Sequence, residues 1–322
     1  MRAIQITATG GPEVLTLAEV AIPTPGPGEI MIRHEAVGLN FIDTYQRSGL
    51  YPVPLPTTLG MEAAGVVEAV GAGVERFRPG DRAAYCSSLG AYADANVVKA
   101  DRAVHLPDNV SSEVAAAALL KGLTAEFLAR RIWSVKSGDT ALVHAAAGGV
   151  GLILCQWLKA LGVRVIGTVG SHEKAELALS HGCVEVINYR EEDVAARVKA
   201  ITAGAGVPIV YDSVGASTCD ASLASLHRRG LFVSFGNASG PAPAIEPLRL
   251  SRGGSLFMTR PTLFDYVATV EELDKAATGL FDVIGSGDVR IEIGQRFRLE
   301  DAAKAHEALG SRNTIGATIL TL

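Results

Sequence analysis

His144-Ala-Ala-Ala-Gly-Gly-Val-Gly151 decides how this chain folds. It follows an apolar run, residues 141–144, that reads as a short buried strand, and it opens residues 149–161, whose apolar spacing reads as a helix. Small residues in such a strand-to-helix turn let the backbone approach a pyrophosphate closely. The helix start adds unpaired N–H groups and the positive end of its dipole. Laid on the pattern G-x-G-x-x-G, the turn places Ala146, Gly148 and Gly151 at the glycine positions, so alanine replaces the first glycine. That departure weakens the motif taken alone, and the flanking strand and helix restore it.

Downstream the alternation continues. Strands are expected at 164–168, 184–188, 208–213 and 230–235, with helices at 173–181, 193–201 and 218–226. Nearly all-apolar strands separated by helices imply a doubly wound parallel sheet covered on both faces, an α/β Rossmann domain. Upstream the texture differs: residues 3–7, 15–20, 29–36, 63–70 and 82–85 read as short strands broken by Pro and Gly, an antiparallel β-rich unit. A capped, alanine-rich helix begins at Ser111 and continues through 123–131. Past a proline-rich loop, the chain reads as a long helix over 265–284, a strand at 295–298, a helix at 301–309 and a final strand at 317–322.

The length of 322 residues suggests about two domains. With 29 basic against 34 acidic side chains, the net charge of −5 argues against a protein built to grip nucleic acid or an anionic membrane. The run Val114 to Leu120 ends at Lys121, far short of the ~20 apolar residues of a membrane helix. The N-terminal residues lack a signal-peptide pattern, and Cys86, Cys155, Cys183 and Cys219 are scattered with no C-x-x-C. A reducing, cytoplasmic setting is expected.

NAD-specific sites place an acidic residue at the end of the second strand to hold the ribose hydroxyls. Here that strand runs into Thr168-Val-Gly-Ser-His-Glu-Lys174, where Ser171 and Lys174 suit a 2′-phosphate by hydrogen bond and charge. Tyr189 and Arg190, after the third strand, can close the same pocket. The expected cofactor is NADPH.

With these residues in view, the chain resembles the quinone oxidoreductase (zeta-crystallin-like) branch of the medium-chain dehydrogenase/reductase superfamily, and within it the bacterial NADPH-dependent members. The resemblance is carried by Gly10-Gly-Pro-Glu-Val-Leu15, Gly38-Leu-Asn-Phe-Ile-Asp-Thr-Tyr45, Ser48-Gly-Leu-Tyr-Pro52 and Lys121-Gly-Leu-Thr124. It continues through the 144–151 turn, Val186-Ile-Asn-Tyr-Arg-Glu-Glu-Asp193, Tyr211-Asp-Ser-Val-Gly215 and Ser234-Phe-Gly-Asn237. It implies a GroES-like, β-rich catalytic domain built from residues 1–121 and 261–322, interrupted by an NADP-binding Rossmann domain over 122–260, and a homodimer joined through the Rossmann domains. It further implies that Asn40, Asp43 and Tyr45 flank nicotinamide and substrate. Thr124 and the turn Gly148, Gly149, Val150 and Gly151 would hold the nicotinamide side and the pyrophosphate. Gly170, Ser171, Lys174, Tyr189 and Arg312 would surround the 2′-phosphate. Ser213, Phe235, Gly236, Asn237 and the segment Met258, Thr259, Arg260 would line the cofactor groove.

Zinc-dependent relatives hold a catalytic metal through a cysteine near the position of Asn40 and the histidine of a Gly-His-Glu motif. Here the matching stretch is Leu59-Gly-Met-Glu62. An amide and a thioether are poor zinc ligands, so no catalytic metal is expected. Without a Lewis acid, an acceptor that spreads incoming charge is favoured, and hydride transfer to a quinone is the expected reaction, with Tyr45 and Tyr51 as hydrogen-bond donors or stacking surfaces. Reduction of an alkenal or enoyl group is the enzymatic alternative. A crystallin-like or RNA-binding protein that holds NADPH without turnover is the alternative of another class, and the acidic balance disfavours RNA.

Overall fold

The computed structural model describes residues 1–322 and divides into two compact units. Unit 1 comprises Met1–Leu123, Val267–Gly285 and Ile291–Leu322, and unit 2 comprises Thr124–Tyr266 and Ser286–Arg290. In chain order unit 1 opens with β1 (Arg2–Ile6), β2 (Thr16–Glu19), β3 (Glu29–Leu39), α1 (Phe41–Ser48), β4 (Thr57–Thr58), β5 (Glu62–Val70), β6 (Arg82–Tyr85), β7 (Ala95–Lys99) and β8 (Ala103–His105). Helix α2 (Ser112–Arg130) runs from unit 1 into unit 2. Unit 2 continues with β9 (Thr140–Val143), α3 (Gly149–Ala160), β10 (Arg164–Val169), α4 (His172–Ser180), β11 (Cys183–Asn188), α5 (Val194–Ile201), β12 (Val207–Asp212), α6 (Cys219–Ser225), β13 (Leu226–Ser234), α7 (Pro247–Arg252), β14 (Phe257–Thr259) and α8 (Leu263–Tyr266). The chain closes with α9 (Val270–Gly285), β15 (Ile293–Arg298), α10 (Ala302–Gly310) and β16 (Ala317–Thr321).

Unit 2 holds a six-stranded parallel sheet in the order β11-β10-β9-β12-β13-β14. The first strand, β9, lies between the second and the fourth, so the order reverses direction beside it and opens a crevice at the strands' carboxyl ends. Leu142, Ile166, Ile187, Val210 and Phe232 are fully buried in its core, each stabilising the fold by ~1.5–3 kcal/mol.

Unit 1 carries a seven-stranded sheet, β15-β16-β3-β5-β6-β8 with β7 also on β3, and a small sheet β2-β1-β4. The C-terminal β16 pairs antiparallel with β3, setting Leu320 opposite Val37, so the two ends of the chain share one core with Ile30, Ile32, Val67 and Tyr85.

Several expectations need correction. The first hundred residues are not strands alone, because α1 follows β3 directly. Asn40 and Asp43 form a capping box, with the Asn40 N–H donating to Asp43 Oδ2 at 2.8 Å, and Gly49 ends the helix in the left-handed region at φ 84°. The pairings of β1 to β8 are antiparallel as expected, and in unit 1 only the C-terminal β15 and β16 run parallel. The helix expected over 265–284 is broken after α8. Thr269 and Glu272 make a second capping box, Thr269 N–H to Glu272 Oε2 at 3.0 Å and Glu272 N–H to Thr269 Oγ1 at 3.2 Å, which restarts the helix as α9. Residues 286–290 join unit 2 because the Gln156 amide imitates a strand partner. It donates to Arg290 O at 3.0 Å and accepts from Arg290 N–H at 2.9 Å.

Candidate cofactor and active site

The turn between β9 and α3 is strained where it tightens. Ala145 takes a left-handed φ of 52°, and its carbonyl accepts from Gly148 N–H at 2.9 Å. A Cβ on Gly151 would stand 2.3 Å from that carbonyl oxygen, so glycine is obligatory there. Gly148 is the helix N-cap and brings no side chain, which leaves the first-turn amides of Gly149, Val150 and Gly151 without a side-chain acceptor. The turn sits at the sheet's reversal point, and its backbone is suited to a pyrophosphate.

Beside it, at the end of β10, Ser171 caps α4 and accepts from Lys174 N–H at 3.3 Å. A Cβ on Gly170 would come within 2.4 Å of the Tyr189 hydroxyl, so the glycine makes room for that ring. Burial first, and then the neighbouring Arg190 guanidinium, lower the pKa of the Lys174 ammonium. Two cations held close enough to repel each other make a place that favours a dianion. Gly170, Ser171, Lys174, Tyr189 and Arg190 are thus brought together in unit 2.

Ser213, Phe235, Gly236 and Asn237 are partly exposed at the carboxyl ends of β12 and β13. Gly236 is packed so closely that a Cβ would meet Ser213 O at 2.3 Å. Met258 and Thr259 lie on β14, and the Arg260 guanidinium turns back to Pro261 O at 2.9 Å. Thr124 is half-buried on α2. Arg312 belongs to unit 1, in the exposed turn after α10, with a left-handed φ of 59°.

In unit 1, α1 splits its residues between two faces. Phe41 and Tyr45 of α1, with Tyr51 just beyond the helix, form an aromatic ridge, with Tyr45 and Tyr51 edge-on at 5.2 Å between ring centres and Phe41 at 6.2 Å from Tyr45. The other face is inward. Asp43 is fully buried, and its Oδ2 accepts from Asn40 N–H and from the Tyr92 hydroxyl at 2.9 Å, while Oδ1 has no partner. The placement of Asp43 beside a substrate is therefore corrected: the carboxyl is interior and caps α1. Tyr92, whose hydroxyl hydrogen points to Asp43, accepts from His306 Nε2 at 3.0 Å, and His306 Nδ1 accepts from Arg47 at 3.2 Å. Burial raises the Asp43 carboxyl to about 7 and lowers the His306 imidazole to about 3.

Asn40 is also nearly buried, and its amide donates to Glu62 Oε2 at 2.8 Å. The same carboxylate accepts from Lys121 Nζ at 3.1 Å and from Leu120 N–H at 2.6 Å. The Glu62–Lys121 ion pair, closed to solvent on both sides, did not emerge from motif reading. The signal available for it was a lone lysine directly after seven apolar helix residues, which must either reach solvent or find a buried partner.

No group of three or more His, Cys, Asp or Glu is placed to hold a metal ion. The donors at the position used by zinc relatives do not fit one: Met61 Sδ faces the Gln46 amide at 3.4 Å, Asn40 is an amide, and Glu62 is already neutralised by Lys121. Burial raises the pKa of the Cys86 thiol, which keeps it protonated.

Comparison with known proteins adds the family. Residues 149–285 match the zinc-binding dehydrogenase model and residues 26–108 the alcohol dehydrogenase GroES-like domain. A quinone oxidoreductase of Pseudomonas aeruginosa is 54% identical over 319 residues, covering 98% of each chain. A 2-haloacrylate reductase of a Burkholderia species is 42% identical over 320 residues, covering 97% of this chain and 96% of the relative. A crystal structure of Escherichia coli quinone oxidoreductase complexed with NADPH superposes with a TM-score of 0.98 at 49% identity, covering 100% of both chains.

Proposed function

The chain belongs to the quinone oxidoreductase branch of the medium-chain dehydrogenase/reductase superfamily, and from that premise we propose how its residues carry out NADPH-dependent reduction of quinones. It is an enzyme whose substrate is a small-molecule quinone and whose cofactor is NADPH. Bound NADPH supplies a hydride from C4 of its nicotinamide. With one proton from solvent, a quinone becomes a hydroquinone.

The observation that carries the residue assignment is the cation pair Lys174 and Arg190 next to Ser171, beside a strained glycine turn at the sheet's reversal point. Gly148, Gly149, Val150 and Gly151 bind the pyrophosphate through backbone amides. Gly170, Ser171, Lys174, Tyr189 and Arg190 hold the 2′-phosphate. Thr124, Ser213, Phe235, Gly236, Asn237 and the segment 258–260 line the rest of the cofactor path. In unit 1, Asn40 orients the reacting partners, and the ridge of Phe41, Tyr45 and Tyr51 offers flat apolar surface to a planar acceptor. Asp43 supports Asn40 through its backbone N–H. No step is routed through a metal.

The acceptor class is tested by following NADPH oxidation with 1,4-benzoquinone, 9,10-phenanthrenequinone, an alkenal and 2-chloroacrylate. Quinones are expected to turn over fastest. Turnover confined to the alkenal or the haloacrylate overturns the quinone assignment and favours the second reading, reduction of an activated carbon–carbon double bond, which the 2-haloacrylate reductase relative supports.

We also assign a homodimer joined through unit 2. Strand β14 is one of the two edges of the parallel sheet, and it exposes Phe257 at 53% and Met258 at 37%. Light scattering is expected to give twice the chain mass, and Phe257→Lys to halve it; a monomeric wild type contradicts the assignment. No helix is long and apolar enough to cross a membrane, and the scattered cysteines support a cytoplasmic location.

A further inference from the structure

Strands β10, β9 and β12 end side by side where the order of the parallel sheet reverses. A run of fully buried polar side chains links these three ends. Thr168, in β10, has Oγ1 3.0 Å from His144 Nδ1, and His144, directly after β9, has Nε2 3.0 Å from Ser222 Oγ. Ser222, on α6, donates to Asp212 Oδ2 at 2.6 Å, and Asp212 is the last residue of β12. None of the four is more than 1% exposed.

The direction of every hydrogen in this run is determined by its end. Asp212 Oδ1 already takes two backbone N–H groups and its Oδ2 accepts from the Ser222 hydroxyl, so the Ser222 hydrogen points to Asp212. The serine oxygen then accepts from His144 Nε2–H, which leaves Nδ1 as the acceptor for the Thr168 hydroxyl. Burial lowers the pKa of His144 and so favours the neutral imidazole, whose one N–H this pattern places on Nε2. The other oxygen of Asp212 accepts from Val214 N–H at 2.8 Å, Gly215 N–H at 3.0 Å and Thr218 Oγ1 at 2.9 Å, so the carboxylate also ties down the loop that follows β12.

Apolar side chains could fill the same volume without burying a carboxyl group and an imidazole. What the polar string adds is a single geometry. The segments it anchors are the turn that starts at Ala145, immediately after His144, which carries the assigned Gly148–Gly151 contacts, and the loop 213–215, which carries Ser213. We propose that Thr168, His144, Ser222 and Asp212 form a positioning string that sets the β9–α3 turn and the 213–215 loop in the one register that grips the dinucleotide. None of the four needs to touch the cofactor; they act through the backbone they hold. This rests on the NADPH reading above.

The string acts on parts common to NADPH and NADH, which gives it a signature distinct from that of Lys174. Ser222→Ala removes the central link. It is expected to raise the dissociation constants of NADPH and NADH together by about tenfold, equivalent to ~1.4 kcal/mol, with their ratio unchanged and kcat at saturating NADPH within about twofold of wild type. Thr168→Val removes the outer hydroxyl with little change of shape, and it serves as the second variant should Ser222→Ala fail to fold. In cofactor-free protein, amide hydrogen exchange across 145–151 and 213–215 is expected to quicken in both variants. A folded variant with both dissociation constants and these exchange rates unchanged overturns the proposal. So does a loss confined to NADPH, which would put the effect at the 2′-phosphate. A wild type that binds no NADPH refutes the cofactor reading instead, and the exchange rates then judge the string on their own.

Discussion

Unit 1 and unit 2 each bury an aspartate completely, and the two carboxyl groups are treated differently. Asp212 receives four donors spread over both oxygens. Asp43 receives two donors on Oδ2, while Oδ1 is bare and burial raises its pKa to about 7. The two carboxyl groups are equally deep and differ in the supply of donors, and where donors are few burial favours the protonated form, as at Asp43. Unit 1 meets the same problem at Glu62 by a third route, with two hydrogen bonds and a lysine.

The largest effect should come from breaking that third arrangement. Lys121→Met leaves Glu62 buried without its counter-ion and is expected to destabilise the protein by ~3–5 kcal/mol. Urea unfolding measures it, and a loss below about 1 kcal/mol would mean that backbone and amide donors alone sustain the charge.

The same substitution at the two aspartates should act with opposite signs. Asp43 holds a proton in the folded chain and releases it in the unfolded chain between about pH 4 and about 7. Its contribution to stability therefore falls as pH rises through that window, by a few kcal/mol in total. His306 and His34, held neutral by burial with values near 3 and 4, work the other way below their ordinary value. The difference between wild type and Asp43→Asn isolates the aspartate. Asp43→Asn keeps an acceptor for Asn40 N–H and Tyr92, and at pH 8 it is expected to stabilise the chain. Asp212→Asn loses acceptors for real donors and is expected to destabilise it by ~1–3 kcal/mol. Equal signs for the two would break the comparison.

Unit 2 was also the more legible half. Its alternating strands and helices follow hydrophobic period and turn residues, both local properties, and the 144–151 turn announces itself by small residues. The polar interior of unit 1 depends on partners far apart in sequence: Lys121 with Glu62, Tyr92 with His306. No local pattern pairs them, and Asp43, expected beside nicotinamide and substrate, is revealed as interior only by the fold that buries it. The break before α9 is a different kind of miss, because Thr269-x-x-Glu272 is a local capping signal that the longer helical period concealed.

A smaller effect separates charge from backbone within unit 2. Lys174→Ala is expected to cost ~1.5–3 kcal/mol of NADPH binding, read from dissociation constants, and to leave NADH nearly unaffected. Equal losses would remove Lys174 from the 2′-phosphate site. The smallest concerns the left-handed Ala145, where Ala145→Gly relieves backbone strain and should raise stability by about 1 kcal/mol or less, seen as a higher melting temperature.

The most direct test of the account is the rate of 1,4-benzoquinone reduction with NADPH and with NADH, in wild type and in Lys174→Ala/Arg190→Ala. Wild type is expected to prefer NADPH strongly, and the double variant to lose that preference while retaining turnover with NADH. A wild type that uses both cofactors equally, or a double variant that still prefers NADPH, would contradict it.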